Sequence, residues 1–196
     1  MPVDAGAFVH ETALVENGAS IGPSTSVWHH AQIRAGADIG ARCVIGKGVF
    51  VDVNVAIGDD CKLQNYACIY HGSRIGRGVF VGPHAVFTND RRPRATNPAF
   101  APLRDGDWTV GTIVVEDGAS IGANVTLLPD IRIGRWAMVA AAAVVSADVE
   151  PYALVVGCPA RRVAWLCRCA RRVDDAKRSC AQCGPLPPDH PLIGKS

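Results

Sequence analysis

An apolar residue recurs at every sixth position through the first 87 residues of this chain, and no other feature constrains its fold as strongly. The series has no gap: Val3, Val9, Val15, Ile21, Val27, Ile33, Ile39, Ile45, Val51, Ile57, Leu63, Ile69, Ile75, Val81, Phe87. A period of six fits neither the α-helix nor the simple alternation of a flat strand. It predicts a parallel β-helix, in which three hexads form one triangular coil of eighteen residues. Small residues precede most of the series by two positions, and we expect them at the corners, with the glycines that directly follow several members supplying backbone freedom there.

The period is interrupted once. It breaks at Thr88 and resumes at Val115. Val115 lies 28 positions after Phe87, four more than four whole hexads, so the intervening chain cannot be regular coil. The intervening chain is rich in Pro, Arg, Asn and Asp, which favour turns. Long excursions from a compact fold are usually functional. We therefore predict a loop over residues 88–112, with Phe100 and Trp108 as its anchors.

Three segments follow from this pattern. Residues 1–148 form the predicted all-β solenoid, including the loop. Residues 149–166 leave the repeat and are expected to cap the open end, whose strand edges would otherwise be exposed; we expect a short helix at 161–166. Residues 167–196 are basic and cysteine-rich, then proline-rich, and form a separate appendage.

Composition excludes some classes of function. The formal charge is +2, from 20 basic and 18 acidic residues, and no basic block lies on the repeats, so nucleic acid is not an expected partner. The first ten residues do not resemble a signal peptide, and no run of eighteen apolar residues occurs. We expect a cytoplasmic protein that does not interact with membranes.

Eight cysteines fall into two groups. Four are scattered and fit buried small apolar positions: Cys43, Cys61, Cys68, Cys158. The other four form two close pairs in the tail: Cys167 with Cys169, and Cys180 with Cys183. Four thiolates in a reducing compartment, where disulfides are disfavoured, predict a tetrahedral structural zinc site. The first pair is C-x-C rather than the more usual C-x-x-C.

Five motifs carry a resemblance to a known family. They are SVWHHAQI at 26–33, KLQNYACIY at 62–70, GVFVGPHAVFTNDRRPRA at 78–95, GASIGANVTL at 118–127 and VVGCPARRVAW at 155–165. Together they resemble the nucleotide-sugar N-acetyltransferases of the hexapeptide-repeat superfamily, most of all those that acetylate deoxythymidine-diphosphate (dTDP) 3-amino sugars. The resemblance implies a left-handed coil, which opposes the usual hand of parallel crossovers. It also implies acetyl-CoA as co-substrate and a homotrimer with its sites between subunits.

Two residues are predicted to be catalytic. Asn89 matches the family position beside the acceptor amine, where an amide oxygen can orient the nitrogen lone pair. His84 is the candidate general base, because the attacking amine must lose a proton; the alternative is a structural corner histidine. His84 lies three residues past Val81 and Asn89 two past Phe87, so they occupy different corners, roughly 15–20 Å apart. They could cooperate only across a trimer interface.

Other positions are predicted to bind substrates. His71 precedes Asn89 by eighteen residues and therefore lies one coil beneath it, where it could line the same pocket. Asp90, Arg91 and Arg94 begin the loop, and arginine suits the sugar pyrophosphate, although a solvated loop charge is the alternative for each. The resemblance implies that the coils after the loop bind CoA, through these residues: Gly111, Ala123, Ala141, Pro159, Arg161. Two departures from the family pattern lie in that region: Ala140 and Ala142 stand where relatives often have Gly, and Cys158 stands where Asn is usual.

Alternative functions remain open at this point. An enzyme acting on uridine-diphosphate amino sugar acids is close in pattern, and a non-catalytic scaffold would need neither the loop nor the cap motif. A γ-type carbonic anhydrase needs three converging histidines, but after His84 the next histidine is His190. Motifs for a covalent nucleophile are missing, so direct attack in a ternary complex is the expected mechanism.

Overall fold

Two-residue strands separated by tight turns stack into a triangular solenoid in the computed structural model, which describes residues 3–104, 106–174 and 176–193. Strands one coil apart pair in parallel, so that Ile69 pairs with Val51 below it and with Phe87 above it. The strands form three sheets, here called faces A, B and C in the order in which the chain visits them. The all-β parallel solenoid predicted from the period of six is confirmed. Its left hand stays a prediction from the resemblance.

The strand bounds are as follows. Face A contains β1 (Phe8–Val9), β4 (Ser26–Val27), β7 (Val44–Ile45), β10 (Lys62–Leu63), β13 (Phe80–Val81), β16 (Ser120–Ile121), β19 (Met138–Val139), β21 (Ala153–Val156) and β22 (Arg161–Trp165). Face B contains β2 (Leu14–Val15), β5 (Gln32–Ile33), β8 (Phe50–Val51), β11 (Cys68–Ile69), β14 (Val86–Phe87), β17 (Thr126–Leu127) and β20 (Val144–Val145). Face C contains β3 (Ser20–Ile21), β6 (Asp38–Ile39), β9 (Ala56–Ile57), β12 (Ser73–Ile75), β15 (Ile113–Val115) and β18 (Ile131–Ile133). A separate hairpin in the tail pairs β23 (Ser179–Cys180) with β24 (Gly184–Pro185).

The residues of the six-residue series fill the interior. From Ile21 to Val145 every member is 4% exposed or less. Val3, at the beginning of the series, is 38% exposed. Burying one such aliphatic side chain contributes about 1.5–3 kcal/mol, so the stacked interior supplies most of the driving force for folding.

The glycines that follow the inward residues serve a different purpose from the one expected. At Gly82 an added Cβ would lie 2.6 Å from the backbone nitrogen of Ala123 in the next coil. Glycine is therefore needed at these positions because a side chain would collide with the next coil, and not because the backbone is left-handed there. The left-handed backbone occurs two residues later in the turn, for example at Asp60 (φ 62°) and His84 (φ 58°).

The chain leaves the solenoid between Phe87 and Ile113. Strands on either side of this excursion pair at a spacing of 40 residues instead of 18, as Phe87 does with Leu127. Within the loop, Trp108 is half-buried, whereas Phe100 is 86% exposed. The expectation that Phe100 anchors the loop is therefore wrong, because its ring packs against too little of the protein to be shielded from water.

The far end of the solenoid is closed by strands. Strand β21 continues face A in parallel, and β22 turns back to pair with it antiparallel. The short helix predicted at 161–166 is wrong, because the open edge of face A offers backbone partners that a helix there could not use. The part of the chain that the structure describes contains no helix, and thus none able to cross a membrane.

Replacing Phe87 should test how far the interior carries stability. Phe87→Ala removes a fully buried ring and should lower the free energy of unfolding by about 3–5 kcal/mol. The control Phe100→Ala removes an exposed ring from the loop and should change it by less than about 0.5 kcal/mol. Chemical denaturation at one protein concentration measures both values. Equal effects of the two substitutions would contradict the described interior.

Candidate functional site

His71 and Asn89 lie one above the other where face B turns into face C, a position here called corner BC. The strands that precede them, β11 and β14, are paired in register, so the two residues occupy equivalent positions in successive coils. Both line a cavity of 430 Å³, whose remaining described walls are Arg34, Asp52, Val53, Gly106, Trp108 and Val110. The structure thus brings together the two residues that the eighteen-residue spacing predicts as neighbours.

The ring of His71 is held in one orientation. Its Nδ1 lies 2.7 Å from the carbonyl oxygen of Val53, and its backbone N–H donates to the carboxylate of Asp52 at 3.2 Å. Because a carbonyl oxygen can only accept, Nδ1 carries the proton in the neutral ring. The lone pair is then on Nε2, the nitrogen that can accept a proton from a ligand. Asp52 also pairs with Arg34 at 3.4 Å. The sequence analysis missed Asp52, although the next residue, Val53, lies one coil below His71.

The side chain of Asn89 is available to a ligand. Its backbone oxygen accepts a hydrogen bond from Gly111 at 2.8 Å, which holds the end of the loop against its beginning. The side-chain amide makes no hydrogen bond with any residue in the described ranges, and the residue is half-buried. A half-buried amide of this kind can donate to and accept from a bound molecule.

A second cavity, of 510 Å³, lies inside the loop. It is lined by Asp90, Arg91, Arg92, Arg94, Thr96, Asn97, Pro98, Leu103, Asp107, Trp108, Thr109, Gly111 and Asp130. Trp108 borders both cavities, so they are adjacent. Three guanidinium groups line this cavity together with three carboxylates, so the guanidinium groups that no carboxylate pairs are the ones suited to an anion.

The predicted loop residues differ in the hydrogen bonds and ion pairs that they make. Arg91 donates to the carbonyl oxygen of Pro129 at 2.7 Å and pairs with Asp130 at 3.3 Å, which ties the loop to the coil above it. Asp90 accepts from the backbone N–H of Arg92 at 2.7 Å and shapes the turn. Arg94 bonds only to the carbonyl of Pro93 next to it, and the side chain of Arg92 bonds to no described residue. Arg92, which was not predicted, and Arg94 are therefore the two free to bind a ligand.

His84 lies elsewhere, where face A turns into face B, a position here called corner AB. Its ring stacks on Tyr66 with 5.2 Å between ring centroids, and neither cavity described above is lined by it. Within one chain His84 and Asn89 are therefore on different corners, as the spacing predicts. The role of His84 as a base stays a prediction that depends on a second subunit.

Two of the residues predicted to bind CoA lie on the same corner as His84. Ala123 and Ala141 occupy equivalent positions in successive coils after β16 and β19. Their backbone N–H groups donate to no residue in the described part of the chain, whereas that of Lys47, lower on this corner, donates to the side chain of Asn65 at 3.0 Å. Small side chains beside open amides leave a shallow row that can contact an extended ligand.

The other predicted CoA-binding residues are divided between two places. Gly111 borders the loop cavity. Pro159 follows a cis peptide bond just beyond β21, and the next residue, Ala160, donates to the carbonyl of Val144 at 2.8 Å. Arg161 is exposed at the start of β22. Pro159 and Arg161 therefore continue the corner AB row at the end of the solenoid.

Comparisons with known proteins agree with this fold. The family described as bacterial transferase hexapeptide (six repeats) matches residues 54–89, which include His71, His84 and Asn89. Serine acetyltransferase 4 from Arabidopsis thaliana is 32% identical over 133 residues, or 67% of this chain and 30% of that protein. The dTDP-3-amino-3,6-dideoxy-alpha-D-galactopyranose 3-N-acetyltransferase from Aneurinibacillus thermoaerophilus is 42% identical over 76 residues, or 38% of this chain and 39% of that protein.

Among solved structures, AntD from Bacillus cereus, an N-acyltransferase in complex with dTDP and 3-hydroxybutyryl-CoA, has the same fold. Its TM-score is 0.53 at 15% identity, over 82% of this chain and 80% of that one. Residues 54–89 thus carry hexapeptide repeats of the kind found in bacterial transferases. The chain spans well under half the length of the two curated relatives.

Arg91→Ala should loosen the loop, because it removes both contacts with the coil at Pro129 and Asp130. Arg92→Ala is the matched control, since it removes an equal charge that contacts no described residue. Limited digestion with chymotrypsin, which cleaves at Phe100 and Trp108, should become several times faster in the first variant and stay unchanged in the second. Identical cleavage rates would mean that Arg91 does not tether the loop.

Proposed function

We propose that the protein transfers an acetyl group from acetyl-CoA to the amine of a nucleotide-linked amino sugar, with dTDP as the nucleotide. The observation that carries this proposal is the convergence of His71 and Asn89 in one cavity that adjoins an arginine-lined cavity. The first cavity would take the sugar amine. The second would take the diphosphate, whose oxygens match the planar forks of Arg92 and Arg94. The relative that acts on a dTDP-linked amino sugar and the dTDP bound to AntD support the choice of nucleotide.

The proposed reaction is a direct attack. The amide oxygen of Asn89 accepts a hydrogen bond from the amine and directs its lone pair at the thioester carbonyl. The new C–N bond forms and the C–S bond breaks, so CoA leaves as its thiolate, which takes up a proton afterwards. We assign the base to His71 rather than to His84, which was expected from the sequence: His71 accepts the proton that the nitrogen sheds, through the Nε2 that its bond to Val53 leaves free. The Val53 and Asp52 contacts would hold that nitrogen toward the substrate.

Acetyl-CoA would lie along corner AB. Its pantetheine arm carries amide carbonyls, which the open N–H groups of Ala123 and Ala141 could bind. Arg161, at the end of that row, is suited to a CoA phosphate. Pro159 would provide backbone surface for close approach at the end of this row, whereas Gly111, beside Asn89 on corner BC, would meet CoA bound to the next subunit. Since the acyl donor and the acceptor amine then occupy different corners, one chain alone would hold only half of each active site.

A homotrimer would complete the site. Outward positions on face B are mostly apolar or uncharged: Leu14, Gln32, Phe50, Cys68, Val86, Thr126, Val144. Those on face C include charges: Ser20, Asp38, Ala56, Arg74, Val114, Arg132. Three prisms that turn face B toward a common threefold axis would each set corner AB against corner BC of the next subunit. This arrangement would bring CoA to His71 and Asn89, and His84 to the rim of the same site.

The tail and the compartment fit this proposal without taking part in the chemistry. Zinc in the four-cysteine tail would have a structural role, because the tail cysteines line neither cavity. The cytoplasm expected from the sequence is part of this proposal, since its reducing conditions would keep the eight cysteines as thiols.

The reaction can be tested with a panel of acceptors. We expect release of free CoA from acetyl-CoA with dTDP-linked amino sugars, slower release with UDP-linked ones, and none with serine, which carries no nucleotide. The readout is a thiol reagent, with the acetylated product identified by mass spectrometry. Faster release with UDP-linked sugars would contradict the proposal of dTDP as the nucleotide. Release with none of the nucleotide sugars would contradict the proposed acetyl transfer.

The two histidines can be separated by their pH profiles. His71→Asn should lower kcat by about tenfold or more, in line with the loss of a general base, and should flatten the acidic limb of the pH profile of kcat. His84→Asn should keep that acidic limb. If instead His84→Asn abolishes the acidic limb, the base belongs to the neighbouring subunit.

Asn89→Ala should lower kcat about tenfold with little change in the KM for acetyl-CoA.

A further inference from the structure

The four cysteines of the tail come together in space. Their sulfur atoms all lie within 4.8 Å of one another, and those of Cys169 and Cys180 are 3.6 Å apart. A disulfide would require about 2.05 Å, so the sulfurs are not bonded. A tetrahedron with Zn–S distances of about 2.3 Å has S–S edges of about 3.8 Å. The observed separations are therefore close to those of a tetrathiolate metal centre.

Two turns present these sulfurs. In the first, the N–H of Ala170 donates to the carbonyl of Cys167 at 2.8 Å, and Ala170 itself is left-handed with φ 66°. In the second, Cys180 pairs with Gly184 across the β23–β24 hairpin, and Gly184 has φ 78°. Each turn thus reverses the chain directly after its second cysteine. The first pair is C-x-C and the second C-x-x-C, but both fold back toward the same point.

The second turn also directs backbone donors at a ligand sulfur. The backbone N–H groups of Gln182 and Cys183 hydrogen-bond to the sulfur of Cys180. Donors of this kind stabilise a thiolate.

The tail has too small an apolar core to fold without help. Its buried cluster consists of Cys167, Cys180 and Leu186, with Val173 and Leu192 partly buried against it. Two of its three buried residues are thus cysteines. Segments shorter than about 40 residues usually need a disulfide, a metal or a partner to be stable, and here the thiols are free.

The folded tail closes the end of the solenoid. Asp189 accepts from the hydroxyl of Tyr152 at 2.9 Å and pairs with Arg135 at 2.9 Å. Burial alone would raise the pKa of Asp189, but the Tyr152 hydroxyl and Arg135 hold it below its usual range. The ring of His190 is buried against Tyr152, its Nε2 donating to the carbonyl of Leu166 at 3.1 Å. These contacts cover the last coil, at Tyr152, which is fully buried.

We propose that Cys167, Cys169, Cys180 and Cys183 bind one structural Zn²⁺, which holds the tail folded over the end of the solenoid. The closed set of four protein ligands leaves no open position for a substrate or for water. Four soft thiolates in a tetrahedron select zinc or iron over harder ions, and the proposal commits to zinc. The basic neighbours Arg168, Arg171 and Arg172 would offset the negative charge of the centre.

Metal analysis of the full chain, purified without chelators from medium supplied with zinc and iron, tests the site. We expect about one zinc and no iron per chain, as a four-ligand structural site requires. Cys169→Ser removes an exposed ligand and should reduce the bound zinc at least tenfold. The control Cys158→Ser removes a cysteine outside the cluster, which is exposed rather than buried as expected from the sequence, and should leave zinc unchanged.

The role of the metal needs a second readout. Proteolysis of the tail should become at least tenfold faster in Cys169→Ser and after chelation, while acyl transfer, where it is detected, should stay within about twofold. Hydrogen exchange at Tyr152 and Leu166 reports whether the end of the solenoid opens, and it should rise in the same samples. Metal-free protein with a protected tail, iron in place of zinc, or equal zinc in both variants would overturn the proposal.

Discussion

Parallel pairing between coils eighteen residues apart is the interaction on which the rest of this structure depends. Each strand is only two or three residues long through most of the solenoid and would have no stability alone. It is held because its backbone groups pair with the coils above and below, and because one aliphatic side chain per hexad fills the interior. The glycine after that side chain is needed because the next coil lies where its Cβ would be. Stability is therefore distributed along the axis, and both ends of the stack need protection.

The same pairing places the chemistry. Residues eighteen positions apart occupy one column, so the pairing of β11 with β14 is enough to stack His71 and Asn89 and make both face one cavity. The loop leaves the column directly after Asn89 and returns to it, with Gly111 bonded to the Asn89 carbonyl. Its arginine-lined cavity is thereby fixed beside the pair. A rigid solenoid with one excursion is enough to build a site whose geometry depends on backbone register more than on side-chain packing.

Register explains which features could be predicted from the sequence. The period of six predicted the buried series, the break at Thr88 and the separation of His84 from Asn89, because each depends only on counting residues. The β22 strand and the exposure of Phe100 could not be found in this way. Both depend on which surfaces are left open by the rest of the fold, and short local patterns in the sequence do not encode those surfaces. Asp52 was missed for a related reason, since its role comes from a hydrogen bond to the coil above. The convergence of the four cysteines was predicted from their number and chemistry, but the turns that direct them inward are visible only in the structure.

The central claim is that each active site is shared between corner AB of one subunit and corner BC of the next. It is tested most directly by mixing two inactive variants in one assembly. Asn89→Ala disables corner BC, and Ala141→Trp blocks the row on corner AB. If the account is right, co-expressed chains should recover about a quarter of the acetyltransferase activity, because random mixing in a symmetric trimer leaves that fraction of sites with two intact halves. Mixed assemblies no more active than either parent would contradict a shared site.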